Sequence, residues 1–244
     1  SDIYYTHVGE TFRADMGFLP LNNRNELGFR QRYINRLNGK RVKFYQITPG
    51  GRANFTPDGR WKQQQLTLDW NAQFAGNFML GGGATHGLME EFEGAVLENM
   101  STITQWSSWS PTQTFKLNLY ANVGEFVAYN TGTPRIGNGL NTGMEMNLQL
   151  FGNFQANFTG NYSSLWERDG SGMIYEGWIW RSVLRYNPNR FVQARLITQW
   201  NQFSGDYLFQ PLLQYQPGPF TIYYIGSSTY AAPNQGYTGT QIFA

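Results

Sequence analysis

The chain has 244 residues, a net charge of +2 and no cysteine, with aromatics at 17% and charged residues at only 14%. Weak charge removes the electrostatic case for nucleic acid. The missing thiols exclude disulfides, thiolate metal sites and a cysteine nucleophile. Mean hydropathy is nevertheless negative, at −0.47. The polarity therefore comes from neutral Asn, Gln, Ser and Thr, not from the charged coat of an ordinary soluble domain.

No apolar run reaches the ~18 residues of a membrane-crossing helix, and Ser1-Asp2-Ile3-Tyr4 has neither the basic start nor the apolar core of a signal peptide. Apolar residues recur at i+2 along most of the chain, which is the period of a strand. The predicted strands are 10–18, 24–37, 41–56, 60–74, 78–92, 96–109, 113–128, 142–151, 154–167, 172–186, 191–203, 205–215 and 220–229, with a last one beginning near Tyr237. The stretch "LTLDWNAQF" (Leu66 to Phe74) is the clearest case. Leu66, Leu68, Trp70, Ala72 and Phe74 share one face, and Thr67, Asp69, Asn71 and Gln73 the other. In "TFKLNLYANV", Phe115, Leu117, Leu119, Ala121 and Val123 oppose Lys116, Asn118, Tyr120 and Asn122.

Turn signals separate these runs. A tight set falls at Asn38-Gly39, Gly76-Asn77, Ser110-Pro111, Gly152-Asn153, Asn187-Pro188-Asn189 and Pro217-Gly218. A looser set, expected to form longer loops, falls at Pro57-Asp58-Gly59, Glu90 to Asn99, Asn130 to Asn141, Arg168 to Gly172 and Ser204-Gly205. The chain thus runs up and down. Its strands are far longer than the 5–6 residues of a soluble strand and long enough for the roughly 9–11 that cross a tilted bilayer path.

Two arrangements use this alternation. A soluble sandwich buries the apolar face and needs a charged exterior with protected edges. A membrane barrel turns the apolar face to lipid and the neutral polar face to a wet interior. The sparse charge favours the second. The expected fold is all-β: one domain, 1–244, forming a transmembrane antiparallel up-and-down β-barrel of about 14 strands in the bacterial outer membrane. The lumen candidates are Asp69, Lys116, Glu145, Arg181, Arg185, Arg195 and Gln199. The membrane-interface aromatics are Trp61, Trp106, Trp109, Tyr129, Trp166, Tyr186, Trp200, Tyr215 and Phe220.

Gly177 to Ser228, with its "LRYNPNRF" and "ITQWNQFSGDYLFQPLLQYQPGP" hairpins followed by "FTIYYIG", resembles the C-terminal barrel of a large uncharacterised family of Gram-negative outer-membrane proteins. "FRADMGFLP" (Phe12 to Pro20) is similar to that family's entry into its barrel. Members of the family often carry a carbohydrate-binding-like domain ahead of the barrel. The resemblance implies outer-membrane lipid as surroundings, other envelope proteins as partners, and sugars among the solutes.

Enzyme chemistry has little support. The only histidines are His7 and His86. His86 lies in "GGGATHGLMEEFEG" near Thr85, Glu90 and Glu91, but no nucleophile is set out by spacing. A hydrolase would need His86 within hydrogen-bond reach of a Ser or an acid. Gly81 to Gly83 are not followed by a helix or Lys, so they are no phosphate loop and read as room for close packing. Pro57-Asp58-Gly59 and Glu167 to Gly170 lack the ligand spacing of a calcium loop and read as turns. The expectation is a non-enzyme without metal or cofactor: a channel or transport component for small polar solutes. The alternative is a non-conducting barrel that serves as anchor or scaffold in a larger cell-envelope assembly.

Overall fold

The computed structural model describes residues 1–9, 23–37, 39–92, 94–129, 132–232 and 237–243. Among these there is no helix. Fifteen strands form one antiparallel sheet, with each strand of the ladder paired to its neighbour in sequence. They are β1 (Asp2–Val8), β2 (Arg24–Arg30), β3 (Tyr33–Arg36), β4 (Val42–Phe55), β5 (Trp61–Phe74), β6 (Phe78–Phe92), β7 (Ala95–Thr112), β8 (Phe115–Ala128), β9 (Arg135–Leu150), β10 (Phe154–Glu167), β11 (Met173–Asn189), β12 (Val192–Asn201), β13 (Asp206–Gly218), β14 (Thr221–Ala232) and β15 (Tyr237–Phe243). The short β3 continues β2 along β4, with the Gln31 N–H donating to the Pro49 carbonyl between them. The ladder is therefore effectively 14 strands wide, with β1 and β15 at its ends.

The expected all-β meander is present, with three corrections. The predicted strand 24–37 is broken at Gln31-Arg32 into β2 and β3. β1 was not anticipated, and the predicted strand 10–18 and the "FRADMGFLP" stretch lie outside the described residues. The third correction concerns Asn130 to Asn141, expected as a loop. β9 already begins at Arg135 and pairs with both β8 and β10 from Gly137 onward. Its Gly residues are there for space. A Cβ on Gly139 would lie 2.9 Å from the Phe126 ring and 3.0 Å from Leu165 Cδ1, and one on Gly137 would lie 2.9 Å from Leu165 Cγ.

The connections are also tighter than the looser turn set suggested. β6 ends at Phe92 and β7 begins at Ala95. At the opposite end, Gly76 and Asn77 have φ of 74° and 53°, and Phe151 and Gly152 have 55° and 72°. Two consecutive positive φ values match the twist of the flanking strands in a two-residue hairpin turn. In the later hairpins, Asn187-Pro188-Asn189 and Pro217-Gly218 remain inside β11 and β13, next to register shifts. The turns themselves fall at Arg190-Phe191 and Pro219-Phe220.

Register assigns every side chain to one of two faces. One row of opposed residues reads Pro49, Leu68, Ala84, Ile103, Val123, Leu140. The next row, on the other face, reads Thr48, Asp69, Gly83, Thr104, Asn122, Asn141. Among the described residues no second layer covers the apolar face. Among the described residues only Leu97, Met100, Ala128, Ala156, Leu165 and Ile197 are buried hydrophobics, while Leu66, Leu68, Ile103, Val123, Leu213 and Ile225 are exposed. A water-soluble chain of this size buries most of its large apolar side chains, and monomers rarely leave patches this extensive bare.

Candidate functional site

The polar face carries the concentration of chemistry. Register places all seven lumen candidates on it, six of them in contiguous rows. Ser108, Asn118, Glu145, Thr159, Arg181 and Gln199 are successive cross-strand partners from β7 to β12. The next row toward the two-residue turns is Lys116, Asn147, Asn157, Val183, Ile197. Beyond it come Gln149, Gln155, Arg185 and Arg195. Asp69 lies on the far side, opposite Thr48.

Amides organise these rows. Asn157 Nδ2 donates to Asn147 Oδ1 at 2.7 Å, and Asn147 Nδ2 donates to Glu145 Oε1 at 2.9 Å. Asn118 Nδ2 donates to the other Glu145 oxygen at 3.3 Å, while its own Oδ1 accepts from Ser108 at 2.8 Å. The Glu145 carboxylate is thus held by side-chain amides. Further along, Arg181 Nη1 donates to Gln199 Oε1 at 3.1 Å. Asn118, Asn147 and Asn157 were missed as site residues because, Gln199 apart, the candidates were the charged side chains of the polar face. Their common face with Glu145 was the available signal.

Nearer the middle of the strands the same face carries flat aromatics. Trp106 and Tyr120 are direct partners. A Cβ on Gly81 would lie 2.5 Å from the Trp106 ring, and one on Gly143 would collide with the Tyr120 ring. Each ring lies over a glycine of the neighbouring strand, and Tyr120 reaches across β9 to donate to Asn161 Oδ1 at 3.0 Å. Register therefore separates Trp106 from the interface set and places it on the polar face. By the same register Trp109, Tyr186 and Tyr215 lie on the apolar face near the two-residue turns, and Trp61, Trp166 and Trp200 lie there near the other end. Phe220 is fully exposed in its turn, and Tyr129 follows β8.

Among the described residues the ion pairs are Arg24–Glu26, Arg60–Glu91, Arg135–Glu167 and Arg168–Glu125. None involves a lumen candidate. The last two lie at the end of the sheet opposite the two-residue turns. Near that end Leu97, Met100 and Leu165 are buried on the polar face.

His86 Nδ1 lies 2.8 Å from Ser101 Oγ. The pair faces the apolar side, where His86 opposes Leu66. Glu125 accepts from the Ser101 backbone N–H at 2.9 Å and pairs with Arg168. Among the described residues no carboxylate is hydrogen-bonded to His86, so the third member that orients a catalytic imidazole is not assembled. Pro57-Asp58-Gly59 and Glu167 to Gly170 are turns, as expected. The Arg60 N–H donates to Thr56 Oγ1, and the Ser171 N–H donates to Asp169 Oδ1. Hydrogen bonds from Ser171 hold the Asp169 carboxyl below its usual range. No group of three or more metal-ligating side chains exists among the described residues.

Comparison of the chain with known protein families, curated proteins and solved structures finds no match.

Proposed function

We propose that this chain is an outer-membrane β-barrel, closed by β15 against β1, whose polar face lines a water-filled path for small polar solutes. The observation that carries the reading is the two-sidedness of a single-layer sheet. Among the described residues one face is uncovered and largely hydrophobic. The other bears Asp69, Lys116, Arg181, Arg185 and Arg195 without an ion pair among the described residues. Lipid is the solvent that accepts the first face. Closure pairs the outer N–H and C=O groups of β1 and β15, which hydrocarbon would leave unpaired. Strands β4 to β14 run 10 to 18 residues, enough to cross a bilayer at a tilt. Aromatics at both ends of the apolar face suit two interfacial girdles. The resemblance of Gly177 to Ser228 to outer-membrane barrels points the same way.

The test is conductance of the refolded protein in a planar bilayer, beside an Arg195→Glu variant. The expected outcome is stable steps in both, with anion preference reduced in the variant. A folded, heat-modifiable protein that stays silent would overturn the channel and support the second reading, a non-conducting anchor or scaffold for envelope partners. Leu97, Met100 and Leu165, buried on the polar face, favour that second reading. They place packed apolar side chains where a channel would be open.

A further inference from the structure

Four cations share the polar face between β8 and β12. Arg185 and Arg195 are direct cross-strand partners. Like charges so placed have Cβ atoms roughly 5 Å apart and destabilise the sheet. Neither side chain makes an ion pair or a side-chain hydrogen bond among the described residues, and Arg195 Nε is buried without a partner. Arg181 lies on the same face of β11 and, among the described residues, is bound only to the neutral Gln199. Lys116 completes the set. Glu145 lies on the same face, but its oxygens are already taken by Asn118 and Asn147. Between Lys116 and Arg185 the wall opens into a recess of about 340 Å³, also lined by Asn147, Gln149, Gln155 and Asn157. The recess has two cations, several side-chain amides and no carboxylate in its lining, beside the apolar Phe115, Leu148, Ala156 and Val183. Its volume suits a small ligand.

We propose that this recess binds an oxyanion, the phosphate or carboxylate group of a small solute, between Lys116 and Arg185, with Arg195 adding charge from the next strand. An oxyanion accepts the fork of a guanidinium and the point charge of an ammonium together. Placed there, it relieves the Arg185–Arg195 repulsion. The amides supply neutral donors without closing the site to water. The site deepens the channel reading: it names the class of solute that the path selects, and it rests on that reading for how the anion arrives.

The test separates the site from the channel. Inorganic phosphate is titrated against the refolded protein in neutral phosphatidylcholine vesicles at fixed ionic strength, with chloride as the exchanged ion. Readouts are the thermal unfolding midpoint and phosphorus NMR line width. Phosphate is expected to raise the midpoint and broaden the line. Arg185→Gln and Lys116→Gln are each expected to weaken phosphate affinity at least tenfold. Arg185→Gln should also raise the midpoint in chloride, because it removes one of two opposed charges; a merely structural arginine would lower it. A second arm replaces the vesicles with phosphatidylglycerol and omits phosphate. A response there that depends on Arg185, without one to inorganic phosphate, would assign the oxyanion to a lipid headgroup. A folded protein indifferent to both arms, or Gln variants that bind phosphate as tightly as the parent, would overturn the site. Because binding is read without current, a silent bilayer with intact phosphate binding would overturn the channel and leave the site standing.

Discussion

The polar face is built differently at its two ends. Near the two-residue turns it is open, with Lys116, Gln149, Gln155 and Arg185 all exposed and the cations unpaired among the described residues. Near the other end it is packed. Leu165 is fully buried, Met100 nearly so, and Gly137 and Gly139 of β9 give up their side-chain volume to Leu165 and Phe126. Arg135 pairs there with Glu167. One wall therefore combines a solvated, cationic end with an interdigitated one. The packed end is where the sheet draws its stability, and the open end is where the proposed anion site lies.

The largest effect that tests this contrast is Leu165→Ala. It removes a side chain with no exposure, and the glycine notches that receive it have no side chains of their own to fill the gap. The expected loss is about 2–5 kcal/mol, read by urea unfolding of the refolded protein. The matching change at the open end, Gln155→Ala, should cost less than about 0.5 kcal/mol. Equal losses would remove the distinction between the two ends.

The second effect concerns the faces. Ile103 is 60% exposed on the apolar face, beside Thr104 on the polar one. In a bilayer, Ile103→Arg should cost about 2–4 kcal/mol if it sits near the midplane, whereas Thr104→Arg should be much milder. Folding free energies measured in vesicles check the pair. The reverse ranking would mean that the apolar face is covered by protein.

Much of this arrangement was legible in the sequence. Strict alternation in Leu66 to Phe74 and Thr114 to Val123 identified both faces, and the assignment of Asp69, Lys116 and Arg195 to the polar one needed only parity. Three features were hidden for physical reasons. Arg135 to Asn141 is rich in Gly and Asn and has the composition of a loop. It is strand because Leu165 and Phe126 on neighbouring strands fill the volume that Gly137 and Gly139 leave, and no local pattern records a neighbour's side chain. Trp106 resembles an interfacial aromatic by type, yet parity with Thr104 and Ser108 turns it inward over Gly81. β1 carries Tyr4 and Tyr5 on successive positions, hence on opposite faces, which erased the alternation that revealed the other strands.

A smaller effect probes the middle of the wall, where the two ends meet. Gly143→Ala puts a methyl group into the Tyr120 ring, and overpacking of this kind costs about 1–3 kcal/mol. In a Tyr120→Ala background the same change should cost clearly less, because the colliding ring is gone. A double-mutant cycle measures the coupling. Additive losses would show that Gly143 is required for its backbone alone, and that the ring does not rest on it.

The smallest effect separates two roles of one carboxylate at the packed end. Glu125 pairs with Arg168 at 2.7 Å and also accepts the Ser101 N–H, close to where β8 bends at Gly124 with φ of 143°. The Arg168 side chain is about half exposed, so water and salt screen the pair. Arg168→Ala should therefore cost no more than about 1 kcal/mol, and less in high salt. Glu125→Ala also strands a backbone donor and should cost about 1–3 kcal/mol. Glu125→Gln keeps an acceptor for the Ser101 N–H while losing the charge, and should fall with Arg168→Ala. If Glu125→Gln is instead as damaging as Glu125→Ala, the charge itself, and not only the acceptor for Ser101, holds this end of the sheet together.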